Sequence, residues 1–208
     1  MFERAEIREF GSVVQLMRFD DFDPNAFSSV LSEEELDRVA HFKSLSRKRE
    51  FTATRILFQE LFEGEALKYT SNRAPYINNK GYISISHNRH TTVIAHNAEF
   101  PIAVDIETIQ TKACRLWPKF LSEVETQDLD VSNPLEMSMA WSLKETLYKL
   151  AGRPGIIFKD QLQLQRLDDL VFDCRILLDD QAYGVKLATF VREDFVLSIN
   201  MHACERIE

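Results

Sequence analysis

Cysteine is scarce in this 208-residue chain. The three present, Cys114, Cys174 and Cys204, are an odd number at wide spacing, which suits neither a disulfide framework nor a zinc motif. Glycine and proline are also few, six of each and scattered, so no low-complexity linker is expected. No window approaches the roughly 18 consecutive apolar residues of a membrane span. Residues 1–10 alternate charged and apolar side chains and lack the apolar core of a secretory signal. A cytoplasmic protein with no membrane partner is the expectation. An excess of positive charge is missing too: 25 Lys and Arg stand against 33 Asp and Glu, for a net charge of −8. That excludes wholesale wrapping of nucleic acid. It leaves room for a local basic face, because charges more than about 8 Å apart are largely screened at physiological salt.

What the chain does have is a core. Apolar residues make up 45% and fifteen are Phe, enough for one substantial core or two small halves packed together. Ser12–Phe19 has strand composition and is expected to open the fold. Ser32 followed by three glutamates is a capping-box signature for a helix start. A second helix is expected from about residue 47 to 62, with Phe51, Phe58 and Phe62 at helical spacing and Gly64 as its terminator. The period then changes to strands at residues 82–86, 91–96 and 102–109. From Ser122 to Leu150 the pattern reads as helical, with Pro134 as a break or first-turn residue, and Gly152-Arg153-Pro154-Gly155 ends it. The remainder, to Cys204, reads as strands with hairpins at Asp179-Asp180 and Glu193-Asp194.

The two parts resemble each other. LSEEE at 31–35 and LSEVE at 121–125 lie 90 residues apart, and the same offset matches Phe51 with Trp141 and Leu57 with Leu147. The expectation is a pseudo-duplicated α+β fold, each half a helix on a small antiparallel sheet, divided as residues 1–102 and 103–208. Two helices in register by coincidence give the same matches. The same offset sets Arg55 in the first half against Glu145 in the second.

Four constellations could carry chemistry. In AVDIE (103–107) Asp105 and Glu107 share one face of an extended strand. Two carboxylates so spaced can share a hard cation such as Mg²⁺, although an amphipathic strand with an acidic polar face reads the same way. In WSLKETLYK (141–149) Glu145 and Lys149 sit one turn apart on a helix, as a solvent-exposed supporting pair also would. ISISHN (83–88) puts Ser84 and Ser86 on one strand face with His87 at the turn, donors suited to phosphate oxygens or simply to a polar hairpin. Finally, Arg38, Lys43, Arg47, Lys48, Arg49 and Arg55 form a basic run in an acidic chain, either a solvated face or a phosphate patch.

Read in order, Pro75-Tyr76-Ile77, ISISHN, AVDIE and WSLKETLYK resemble the successive motifs of the surfactin-type 4′-phosphopantetheinyl transferases. The resemblance implies that family's α+β architecture and an activity of the holo-[acyl-carrier-protein] synthase type. The 4′-phosphopantetheine arm of coenzyme A would pass to a serine of an acyl or peptidyl carrier protein, with release of 3′,5′-ADP. It implies that Asp105, Glu107 and Glu145 hold Mg²⁺, that Glu145 draws the proton from the carrier serine, and that Lys149 contacts the reacting phosphate. Ser86, His87, Pro75 and Arg55, with Arg49 and Lys43 beside it, would bind coenzyme A. Apo-carrier protein and coenzyme A are the implied partners, with no nucleic acid, and the chain is expected to act as a monomer. The family's Gly-Lys-Pro reads here as Arg73-Ala74-Pro75, so its lysine is missing. In an extended backbone Arg73 would point away from the position that lysine occupies. Two other readings share these residues: metal-dependent phosphoester hydrolysis, and a non-catalytic relative that binds coenzyme A or a carrier.

Overall fold

The computed structural model describes residues 2–179 and 181–207. Met1 and Glu208, at the ends of the two expected halves, and Asp180, in an expected hairpin, lie outside the described residues. The chain opens one strand earlier than the sequence pattern suggests. β1 (Phe2–Glu9) and β2 (Ser12–Phe19) form an antiparallel hairpin around Phe10 and Gly11, both with positive φ. Both faces of β1 are largely exposed, so its alternation marks no core side. Its charged side chains instead guard the outer edge of a sheet.

α1 (Glu33–Ala40) begins at a reciprocal capping box between Ser32 and Glu35, and α2 (Leu45–Leu61) begins where the Ser44 side chain accepts from Arg47 N. A short strap, β3 (Lys68–Tyr69) and β4 (Pro75–Tyr76), leads to β5 (Tyr82–His87) and β6 (Thr91–Asn97). The first sheet has the order β1-β2-β6-β5, all antiparallel. Its faces follow the period of two. Met17 and Phe19 pack under α2 with Ala53, Leu57 and Phe58, while Val14 and Leu16 point to the opposite side.

β7 (Val104–Thr108) starts a second antiparallel sheet, followed by the short α3 (Lys112–Leu116). The expected helix from Ser122 is absent. Residues 117–133 hold only two single-turn 3₁₀ helices, Trp117–Lys119 and Glu125–Gln127, among turns and loop, and α4 (Pro134–Ala151) begins only at Pro134, with Asn133 as its cap and left-handed Gly152 as its terminator. After α5 (Phe158–Gln161) come β8 (Leu162–Arg166), β9 (Val171–Leu178), β10 (Gln181–Val191), β11 (Phe195–Asn200) and β12 (Glu205–Ile207). Strand order is β7-β11-β10-β9-β8, with β12 also paired to β10. α4 covers one face through Leu143 and Leu147. The other face, Val104, Ile106, Leu197 and Ile199, packs on Val14, Leu16, Val93 and Ala95 of the first sheet.

In both sheets the strand preceding the main helix (β2, β7) is bonded to the last strand of the later hairpin (β6, β11). The sheets meet edge to edge at β5 and β7, with no backbone ladder between them. Serine hydroxyls bridge the gap: Val104 N donates to Ser84 Oγ (3.0 Å) and Ile106 N to Ser86 Oγ (3.4 Å). This satisfies the outward amides of an edge strand without fusing the sheets. Among the described residues no helix is long and apolar enough to cross a membrane.

Candidate active site

The seam between the sheets is where the acidic residues gather. Because Val104 and Ile106 turn into the shared core, Asp105 and Glu107 must face α4. α4 answers with Trp141, Glu145 and Lys149, a stripe at intervals of four on one helix face. The strand and helix run in opposite senses. Trp141 Nε1 donates to Glu107 Oε1 (3.0 Å) at one end, and Lys149 Nζ donates to Asp105 Oδ1 (2.9 Å) and Val104 O (2.7 Å) at the other. The Trp141 ring is fixed by stacking on Phe158 and by an edge contact with Phe120. Glu145 lies between, and among the described residues it accepts no hydrogen bond.

Asp105 is 4% exposed. Its Oδ1 also accepts from Ser86 Oγ (2.8 Å), while its Oδ2 is buried with no partner. An unsatisfied buried carboxylate oxygen is costly. Burial raises Glu145 to about 7, and repulsion from Asp105 adds to the shift against the pull of Lys149. Burial likewise raises Glu107 to about 7, with Asp105 and then Glu145 contributing and the Trp141 bond opposing. Three carboxyls therefore crowd one field with a single ammonium against them.

Among the described residues no three His, Cys, Asp or Glu side chains form a ready cage for a metal ion, and Lys149 rests on Asp105. The donor set nevertheless fits a hard divalent cation. Mg²⁺ is commonly held by one or two carboxylates, with waters and substrate phosphates completing its shell. The orphaned Asp105 Oδ2 and the mutually raised Glu107 and Glu145 are the features a cation would relieve.

His87 borders this field. Burial lowers its pKa; Glu50 pulls it up, and Arg47 and Lys149 push it down. Its Nε2 lies 2.6 Å from Arg47 Nη1 and its Nδ1 lies 3.6 Å from Glu50. Of the basic run, then, Arg47 reaches His87. The others are elsewhere. Arg49 bonds Asp21 (2.6 Å) and the Phe22 carbonyl (2.8 Å). Arg55 has a side chain only 4% exposed, pairs with Glu35 and lies 4.2 Å over the Phe51 ring. Lys43 is exposed on the turn before α2. The structure brings Asp105, Glu107, Glu145, Lys149, Ser86 and His87 together, and does not bring Arg49, Arg55 or Lys43 to them.

Beside Lys149 opens a cleft of about 440 Å³ that includes Arg73, Ala74, Pro75, Ser84, Tyr148 and Arg153. Here the expectation of an extended Arg73 is overturned. Its φ is +63°, in a turn closed by Arg73 N to Thr70 O (2.9 Å) and Thr70 N to Ala74 O (2.9 Å). Strand alternation does not apply to a left-handed residue, and Arg73 lines the same cleft as Pro75. Four contributors escaped the sequence reading: Trp141, Glu50, Arg47 as the His87 partner, and Arg153. Only the helical spacing of Trp141 with Glu145 could have signalled one of them.

Residues 101–199 match the family model of the 4′-phosphopantetheinyl transferase superfamily. Over that span the chain is similar to the superfamily. A search of the curated proteins found no match. The matched segment contains Asp105, Glu107, Trp141, Glu145 and Lys149, the whole strand-and-helix face of the site. Ser86, His87 and the Arg73 side of the cleft come from the chain before it.

Proposed function

We propose that this chain is a surfactin-type, holo-[acyl-carrier-protein] synthase-like 4′-phosphopantetheinyl transferase. It moves the arm of coenzyme A to a serine of an acyl or peptidyl carrier protein with Mg²⁺, releasing 3′,5′-ADP, as a cytoplasmic monomer. The observation that carries this reading is the face-to-face arrangement of Asp105 and Glu107 with Glu145 and Lys149 at the seam. On this reading residues 1–102 and 103–208 form a pseudo-duplicated pair. Support comes from the two capping boxes at Ser32 and Ser122 and from the matching strand connections around α2 and α4.

The reaction is attack of a serine hydroxyl on phosphorus, for which catalysis is mostly positioning and charge neutralisation. Glu145, which faces the seam and accepts no hydrogen bond among the described residues, is placed to accept the serine proton. As that proton leaves, the serine Oγ–P bond forms and the P–O bond to the adenosine 3′,5′-bisphosphate leaving group breaks. Lys149, held by Asp105 and Val104 O, places an ammonium beside the phosphate whose charge grows. Ser86 and His87 furnish hydrogen-bonding groups at the same edge. Asp105, Glu107 and Glu145 would hold Mg²⁺, which when bound neutralises diphosphate charge and orients it for displacement.

Incubation with coenzyme A, Mg²⁺ and a panel of apo-carriers should give the mass gain of one phosphopantetheine, lost in Glu145→Ala and in Asp105→Ala. No gain on any carrier would count decisively against transfer. Cleavage of coenzyme A without a carrier would indicate hydrolysis instead. Binding without turnover would indicate a non-catalytic relative, the reading that Ala74 favours.

A further inference from the structure

The cleft beside Lys149 carries three cations, Arg73, Lys149 and Arg153, and no carboxylate lines it. Its other walls mix neutral polar groups (Ser71, Asn72, Ser84) with apolar ones that include Ile83, Ile85, Ile102 and Tyr148. In an acidic chain such a pocket selects an anion attached to an apolar body. Arg73 and Arg153 come from different sheets' connections, yet one bond ties those connections together and both residues line the one cleft. Asn72 Nδ2 donates to the Gly152 carbonyl at 2.9 Å, and each arginine is the next residue along the chain. Arg73 holds a left-handed backbone that a side chain rarely adopts, in a turn that lines the cleft. Arg153 makes one exposed ion pair, 2.8 Å to Asp179, whose side chain is 78% exposed. Such pairs are weak and readily exchanged for a better acceptor. Arg49, by contrast, has a side chain only 19% exposed and also donates to the Phe22 carbonyl, and Arg55 is buried against Glu35.

We propose that Arg73 and Arg153 form a two-arginine clamp across the seam that grips the phosphate groups of the ligand, and that Arg49 and Arg55 of α2 do not. For coenzyme A as that ligand, the inference rests on the proposed function. Arginine's planar fork suits phosphate oxygens, two to a group. The clamp restores from Arg73 and Arg153 the cation absent at Ala74.

Calorimetric titration tests this without turnover. Arg73→Asn removes the charge with a residue that tolerates the left-handed turn, and Arg153→Gln removes the second. Each should weaken coenzyme A binding by roughly tenfold or more, and Arg73→Lys should recover part of the loss. Asp179→Asn, which frees Arg153, should bind as tightly as the wild type or tighter. Losses seen with coenzyme A but not with dephospho-coenzyme A assign the clamp to the 3′-phosphate; losses seen with both assign it to the diphosphate. A double variant that binds like wild type overturns the clamp, as does an Asp179→Asn variant that mimics the Arg153→Gln loss or an Arg49→Gln variant that loses as much. Inorganic pyrophosphate separates the two claims. If it binds through both arginines while coenzyme A is ignored, the clamp stands and the coenzyme A reading falls. If neither binds the wild type, both fall.

Discussion

The two main helices use the same device to opposite ends. Ahead of α2, Glu35 closes a capping box with Ser32 and also pairs with buried Arg55. Ahead of α4, Glu125 closes the same box with Ser122 and pairs with buried Lys144 (2.6 Å). Arg55 aligns with Glu145, so the second half shifts its buried cation back by one residue. A shift of one position turns a helical side chain by about 100°. In the first half the aligned position faces inward and is neutralised; in the second it is released toward the seam as a carboxyl with a pKa near 7. One helical step separates a buried ion pair from a carboxyl that faces the seam.

The largest effect expected from breaking this comparison is on stability. Lys144 also donates to the carbonyls of Phe158 and Leu162. Burial lowers its pKa while Glu125 pulls it back. Lys144→Met leaves Glu125, 5% exposed, as an unpaired buried charge, a loss of about 3–5 kcal/mol. Arg55→Met strands Glu35, which is 22% exposed and can recover water, so roughly half that loss is expected. Urea midpoints compare them, and equal losses would remove the distinction.

The next effect concerns pH. Glu107 and Glu145 have folded pKa values of about 7 against an ordinary 4.5. Between those values the folded chain holds more protons than the unfolded one, so stability falls as pH rises through the window and stays low above it. Partial exposure limits this to on the order of 2 kcal/mol per carboxyl. Glu107→Gln with Glu145→Gln should flatten the slope, and Mg²⁺ should raise the melting temperature more at alkaline than at acid pH. A slope that survives both substitutions would contradict the site electrostatics.

The smallest effect sharpens the boundary between the halves. Ser84→Ala and Ser86→Ala each remove a hydroxyl that bridges β5 to β7, at a cost of about 1 kcal/mol apiece. The Ser86 change also withdraws a donor from Asp105. A double change with no effect on the denaturation midpoint would mean the apolar face behind carries the junction alone.

Much of this was legible in the sequence because it rests on local pattern. The capping box at Ser32, the strand pair around residues 82–97 and the common face of Asp105 and Glu107 need only spacing. β1 was hidden because an edge strand exposed on both faces buries no stripe to mark it. The helix expected from Ser122 failed for a tertiary reason. The Glu125 carboxylate that caps the turn also accepts from Lys144 and Leu164 N, which ties that turn to β8 instead of extending it. The basic run could not be divided by composition either. Whether Arg47 meets His87 or Arg55 meets Glu35 depends on helix rotation and on partners 20 to 40 residues distant.

The serine-bridged seam bears on how the protein resists self-association. β5 and β7 each end a sheet, and each shelters the other's unpaired edge. Any excursion that parts the two sheets uncovers both edges at once, a template on each for a strand from a neighbouring chain. The cleft beside Lys149 is therefore bounded by edges that parting of the sheets would expose. A ligand gripped from both sides would act as a molecular suture, and its removal should show first as turbidity on warming rather than as lost secondary structure.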